Sequence, residues 1–242
     1  MTFSYSAAWE DTVRMLRTHG SLIAAIAGVF IFLPAILTGY FLPPPEGQGA
    51  QMIEAMTVYF KSNLPWFILS RLVEMIGTIA ILTLLFQREQ VTVGAAIAGA
   101  FMLLPFYFLT SMLTGIAVGV GFLLLVAPGL YLIGRLAVAA VVVVAEGRRN
   151  PIDALQRSIA LTKGHGWAVL GLLIVVALAG FVCLLAVTSV VGIVLLLFGD
   201  VGKLLELILS AALSSLLSVV LLVLCAAIYR QLSPDRSAGV FD

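Results

Sequence analysis

Three charged residues, Arg71, Glu74 and Arg135, sit inside otherwise apolar runs. A charge at such a place is costly enough that it has a partner or a task. Arg71 and Glu74 are three apart and so share a helix face. Glu74 lies twelve residues before Phe86, and Arg135 lies eleven before Glu146. At about 1.5 Å per residue the two fall within roughly 2 Å in depth, near the bilayer midplane. The spacing predicts an interhelical Glu74–Arg135 ion pair assisted by Arg71. Such a pair either fixes helix register or lines a polar path for a solute or proton. Glu206, Ser210, Ser214 and Ser218 recur every four residues and share a face. Small polar residues at this spacing ordinarily permit close helix packing, with a water-lined groove as the alternative.

A second cluster is basic. Arg148, Arg149, Arg157, Lys163 and Trp167 fall in the stretch AEGRRNPIDALQRSIALTKGHGW. Asn150 as cap, Pro151 at the first helical position and Asp153 three after the cap predict a short helix that ends at Gly164. Ile152, Leu155 and Ile159 form its apolar stripe, expected to dock in the membrane interface. The cations would then lie near anionic headgroups, at about 1 kcal/mol each, with Trp167 anchoring the next span. This is the candidate surface for lipid or a partner. His165 beside Ser158 or Lys163 suggests base or nucleophile chemistry, but no third orienting group accompanies it. The sequence has no phosphate-binding glycine loop, no dinucleotide fingerprint and no Cys/His cluster with metal-ligand spacing. Gly115, Gly119 and Gly121 lie in an apolar run, where glycine serves helix packing. The expectation is therefore a non-enzymatic protein with no catalytic residue, metal or cofactor. No basic run resembles a nucleic-acid patch.

The elements that position these residues follow from composition. Of 242 residues, 62% are hydrophobic and only 10% charged. A soluble domain is about half apolar and about a quarter charged, and one water-facing core could not bury this surplus. The fold class expected is all-α: a polytopic membrane helix bundle in one domain, with interfacial amphipathic helices. Six spans are predicted, approximately 21–42, 64–86, 93–113, 119–145, 167–190 and 204–229. Pro34, Pro105 and Pro128 fall inside them. Residues 114–118 make an uncharged hairpin between the third and fourth, and 191–198 either extends the fifth or turns back into the membrane.

Before the first span, Ser6 as cap, Glu10 and Asp11 early, Arg14 and Arg17 late, and Gly20 as a stop predict a helix lying on the membrane, with Trp9, Val13 and Leu16 on one face. A second surface helix is expected after Pro43-Pro44-Pro45-Glu46-Gly47, over 51–61, with Met52, Met56, Tyr59 and Phe60 as its apolar face. No cleaved leader is evident. By helical rise Cys183 lies about 24 Å from Trp167 and Cys225 about 6 Å from Tyr229, which separates the sulfurs beyond disulfide reach. Both read as buried small hydrophobes. Counted on alternate sides, nine Lys and Arg fall with the termini, two opposite (Lys61, Lys203) and two inside spans. That bias puts both termini in the cytoplasm.

One resemblance is specific. Pro128-Gly129-Leu130-Tyr131-Leu132, Arg135, Glu146, Pro151, Ala154-Leu155, Ser158, Leu161-Thr162, Gly164 and Trp167 resemble the bacterial membrane domain that is fused to some glycerophosphodiester phosphodiesterases and also stands alone. The likeness covers about forty residues and is only architectural elsewhere. It implies a six-span inner-membrane bundle. It does not imply phosphodiester hydrolysis, which in fused relatives belongs to a separate soluble barrel. The reading is a lipid-interacting or scaffolding protein of the bacterial inner membrane, acting in envelope homeostasis. Its expected partners are membrane lipids, other membrane proteins or further copies of itself. The alternative is a small-solute or lipid transporter or channel using the Arg71, Glu74 and Arg135 cluster with the serine stripe.

Overall fold

Hydrocarbon offers a backbone amide no partner, so an apolar run that crosses it must close its hydrogen bonds within itself. A computed structural model, which describes residues 3–45, 49–86 and 93–233, follows that rule. The elements are α1 (Tyr5–Ala27), a π turn (Gly28–Phe32), α2 (Leu33–Phe41), α3 (Gly49–Ser62), α4 (Leu64–Phe86), α5 (Val93–Leu124) and α6 (Val126–Leu136). They continue through α7 (Ala139–Ala145), α8 (Pro151–Leu161), α9 (Gly166–Leu195), a 3-10 turn (Leu196–Phe198) and α10 (Gly199–Leu232). No strand occurs among the described residues. Six helices are long and apolar enough to cross a membrane: Tyr5–Phe41, Leu64–Phe86, Gly94–Leu124, Val126–Ala145, Gly166–Leu195 and Gly199–Leu232. Arg88, Arg236 and the Glu46-Gly47 turn lie outside the described residues.

Several boundaries differ from expectation for physical reasons. The first helix is continuous from Tyr5, capped by Ser4 rather than Ser6. Gly20 does not stop it, because a glycine stop needs the left-handed conformation, found among the described residues at Gly49, Gly147, Gly164 and Gly199. The surface helix predicted before the first span is thus that span's own extension. Pro34 is accommodated without a break. Proline clashes with the carbonyl four residues back, and here the turn from Gly28 to Phe32 widens instead, with the Leu33 amide donating to the Gly28 carbonyl.

The third helix runs eleven residues beyond its expected end, to Leu124. The chain reverses at Leu125, which is extended, where residues 114–118 were expected to turn. Pro128 then stands in the first turn of α6, where a missing amide costs nothing. Gly121 and Gly129 bring α5 and α6 close at this hairpin. The fifth spanning helix, α9, continues to Leu195, so 191–195 extends the span, and Leu196–Phe198 form the 3-10 turn into α10.

Packing is uneven along the bundle. At one end Arg230 lies 3.5 Å from Asp11, Gln231 donates to the Ser4 carbonyl, and Phe86 packs on Tyr229 with ring centres 5.4 Å apart. Here α4, α7 and α10 bury Ile79, Ile81, Leu82, Val142, Val143, Val223, Leu224 and Ile228. Arg14, Arg148 and Arg157 gather at this same end through Asp11 and Glu146. The far ends of α5, α6 and α9 are mostly exposed. Cys183 is exposed and Cys225 half-buried, both free. Cys183 therefore faces outward rather than being buried as expected.

Candidate functional site

Arg135 does not meet Glu74. It is 9% exposed and lies at the end of α6, against α8 and the start of α9. Its Nη1 donates to the Thr162 carbonyl at 3.0 Å and its Nη2 to the Ile159 carbonyl at 2.8 Å. These belong to the last turn of α8, whose carbonyls have no helical partner and attract a cation. In return Ser158 Oγ and Thr162 Oγ1 donate to the Arg135 carbonyl at 2.9 and 3.0 Å. Gly134 faces Gly166 so closely that a Cβ on it would strike the Gly166 carbonyl oxygen. Tyr131 lies 5.6 Å from Trp167, ring centre to ring centre, and its own ring centre is 5.6 Å from Arg135 Cζ. Tyr131, Arg135, Ser158, Thr162 and Trp167, five of the residues that carried the resemblance, thus form a latch between α6, α8 and α9. Depth matching failed because the fourth span is not one helix. It breaks at Ala137–Val138, between α6 and α7, so a count of helical rise from Glu146 does not carry to Arg135, which sits against the end of α8 and the start of α9.

Glu146 closes α7, an unfavourable place for an anion beside the helix's negative end. Three donors compensate: Arg148 Nε at 2.6 Å, Arg157 Nε at 3.0 Å and Tyr229 Oη at 3.0 Å. Burial raises the carboxyl's pKa, but the three hydrogen bonds together outweigh it and hold the group below its ordinary value. Two of the predicted surface cations are therefore engaged internally. Arg149, Lys163 and Trp167 remain exposed. Helix α8 begins as expected, with the Asn150 side chain accepting from the Ile152 amide at 3.0 Å. Its inward face is Ala154 and Ser158, while Ile152 and Ile159 point out. Among lipid-bathed helices small residues favour close contact, and the apolar stripe is free to face outward.

Arg71 and Glu74 do pair, at 2.7 Å, with side chains 57% and 33% exposed. They line a crevice of about 630 Å³ between α2, α3, α4 and α10. Ser214, Ser215 and Ser218 form the α10 wall, so the serine stripe faces a cavity here rather than a neighbouring helix. Ser214 and Ser218 donate to carbonyls of their own helix and keep acceptor capacity toward the crevice. Ser215 Oγ is buried with no hydrogen-bond partner. The other wall positions Ile31, from the widened turn, with Pro34 and Thr38. Gly77 allows Phe30 of that turn to pack directly on α4, since a Cβ there would meet Phe30 Cβ.

Helix α3 roofs the crevice, with Met56, Tyr59 and Phe60 of its predicted apolar face toward it. Tyr59 Oη donates to the Leu42 carbonyl at 2.6 Å, and Trp66 Nε1 to Thr38 Oγ1 at 2.9 Å. The rings of Tyr59, Phe60 and Phe67 lie 5.3–5.6 Å apart. Beyond the ion pair a smaller cavity of about 220 Å³ continues, sharing Arg71, Glu74 and Ser218 and adding Thr78, Tyr107 and Cys225.

Sequence reasoning missed Tyr107, Ser215 and Tyr229, which carry no local signal inside apolar helices. Among the described residues no group of acidic, His or Cys side chains is placed to hold a metal ion. Among the described residues the His165 ring meets Phe3 and the Lys163 carbonyl. No curated protein and no solved structure matches the chain. A family model described as a domain of unknown function, DUF7847, matches residues 51–232, more than half of the chain, including the latch, α3, α4 and α10. This multi-pass membrane protein belongs to the DUF7847 family.

Proposed function

We propose that the protein is an amphiphile-binding component of the bacterial inner membrane, with both termini in the cytoplasm. It would act in lipid or envelope homeostasis by holding a lipid in the Arg71–Glu74 crevice. The observation that carries this is the half-exposed ion pair on the wall of an otherwise largely apolar cavity. Ligand pockets of about 300–1,000 Å³ with a few convergent polar groups are the usual form of a small-molecule site. An intramembrane charge pair with no further partner is a candidate for contact with a polar head. The orientation rests on the nine-to-two sorting of cations, and Arg149, Lys163 and Trp167 would seat that face among anionic headgroups. The likeness of Pro128–Trp167 to membrane domains of glycerophosphodiester phosphodiesterases fits a lipid-handling role.

Native mass spectrometry of gently extracted protein tests the reading. Wild type should retain phospholipid, and Ser218→Phe, which fills the crevice, should lose it while melting normally. Equal retention by both, or none by either, would count against the site. A transport reading draws on one further observation: cavities lie on both sides of the ion pair and share its residues. A leaflet-exchange assay in vesicles decides it, with faster lipid movement expected for wild type than for Ser218→Phe.

A further inference from the structure

Resting on the lipid-binding reading, we infer that the crevice selects a zwitterionic phospholipid head with a primary ammonium, its phosphate on Arg71 and its ammonium on Glu74. Among the crevice-lining residues Arg71 and Glu74 supply the formal charges, one of each sign. The cavity is therefore neutral as a whole but strongly dipolar. An anionic head would gain Arg71 and meet repulsion from Glu74. An uncharged head would leave the pair intact and gain little. A head carrying both signs can open the 2.7 Å pair and replace each half with a charge-assisted bond of its own.

The donor chemistry narrows this further. A guanidinium offers a planar fork of N–H donors that matches two phosphate oxygens at once. The Glu74 carboxylate only accepts, so it rewards an ammonium that can donate hydrogen bonds over a quaternary one that cannot. Ser215, 7% exposed, adds a hydroxyl with no partner of its own, available to a phosphate or glycerol oxygen. Among the described residues neither charge has another ion-pair partner to release first. Contrast Glu146, whose carboxylate is fully engaged by three protein donors.

The test is competition for the delipidated full-length protein in detergent, read by native mass spectrometry. Phosphatidylethanolamine, phosphatidylglycerol and phosphatidylcholine with identical acyl chains are supplied in equal amounts. Wild type should favour phosphatidylethanolamine over each of the others by about fivefold or more, as differential contact of one charge pair allows. Glu74→Gln should erase that preference while still binding lipid, and Arg71→Gln should lose binding of all three phospholipids, which share the phosphate contact. Equal or greater occupancy by phosphatidylglycerol or phosphatidylcholine in wild type overturns the inference. So does an unchanged ratio in Glu74→Gln. The wild-type ratio decides even if a variant fails to fold. Failure to bind any of the three lipids would instead defeat the broader lipid-binding reading and this inference with it, a result distinguishable from binding without preference.

Discussion

Two arginines in this bundle show opposite ways of placing a cation in a membrane protein. Arg135 is buried and bonded to two carbonyls at the end of α8, while its own carbonyl accepts from two hydroxyls. Arg71 is more than half exposed and has a single carboxylate partner one turn away. The first arrangement is closed: its donors are spent on orphan helix-end groups, and it fixes three helices relative to one another. The second leaves donor capacity facing a cavity. A charged residue in an apolar helix is thus read by what its remaining hydrogen-bonding capacity faces, not by its charge alone.

The largest test of the contrast is truncation of each arginine. Arg135→Met removes two charge-assisted bonds, leaving the Ile159 carbonyl without its arginine donor and the Thr162 carbonyl with the His165 amide alone, at about 3 kcal/mol, and should sharply reduce folded yield and melting temperature. Arg71→Gln removes a half-exposed pair and should cost about 1 kcal/mol. Similar losses for both would erase the distinction. Next in size is Gly134→Ala, which pushes a methyl into the Gly166 carbonyl and should cost about 1–3 kcal/mol by overpacking, measured as a fall in melting temperature. Gly115→Ala, at a glycine with open space around it, should be near neutral.

Glu146→Gln sharpens the comparison at the closed end. It weakens three charge-assisted bonds, and about 2 kcal/mol is expected because the arginine partners are partly exposed. The pH dependence has a fixed sign. Since the folded carboxyl titrates below its ordinary value, its contribution is full above the unfolded pKa and disappears as pH falls through the folded one. Wild type should lose stability on acidification below the usual carboxylate range, and Glu146→Gln should lose less. The smallest effect expected is Glu74→Gln in lipid-free protein, within about 1 kcal/mol, although the same change should abolish headgroup preference.

Much of the architecture was legible because lipid imposes a simple rule: long apolar runs become helices, and cations sort to one end. The start of α8 was legible too, since Asn150, Pro151 and Asp153 act locally. What escaped was the break within the fourth span and the azimuth of its neighbours. Glu74 and Arg135 share a depth only if that span is one straight helix, yet it breaks at Ala137–Val138, and the Gly134–Gly166 contact holds Arg135 against α8 and α9. Likewise the period of Ile152, Leu155 and Ile159 defines a stripe but not its neighbour, and the small residues Ala154 and Ser158 took the inward position. The α10 serines carried a packing signal, and only the arrangement of α2, α3 and α4 reveals that they border a cavity.

The most direct measurement is photocrosslinking of a diazirine-bearing phosphatidylethanolamine in native-like membranes, with adducts mapped by peptide mass spectrometry. The account predicts adducts concentrated on crevice residues such as Met56, Phe60 and Ser214, and their loss in Arg71→Gln. Adducts spread over the outward faces of α5 and α9, with none in the crevice or no response to Arg71→Gln, would contradict it.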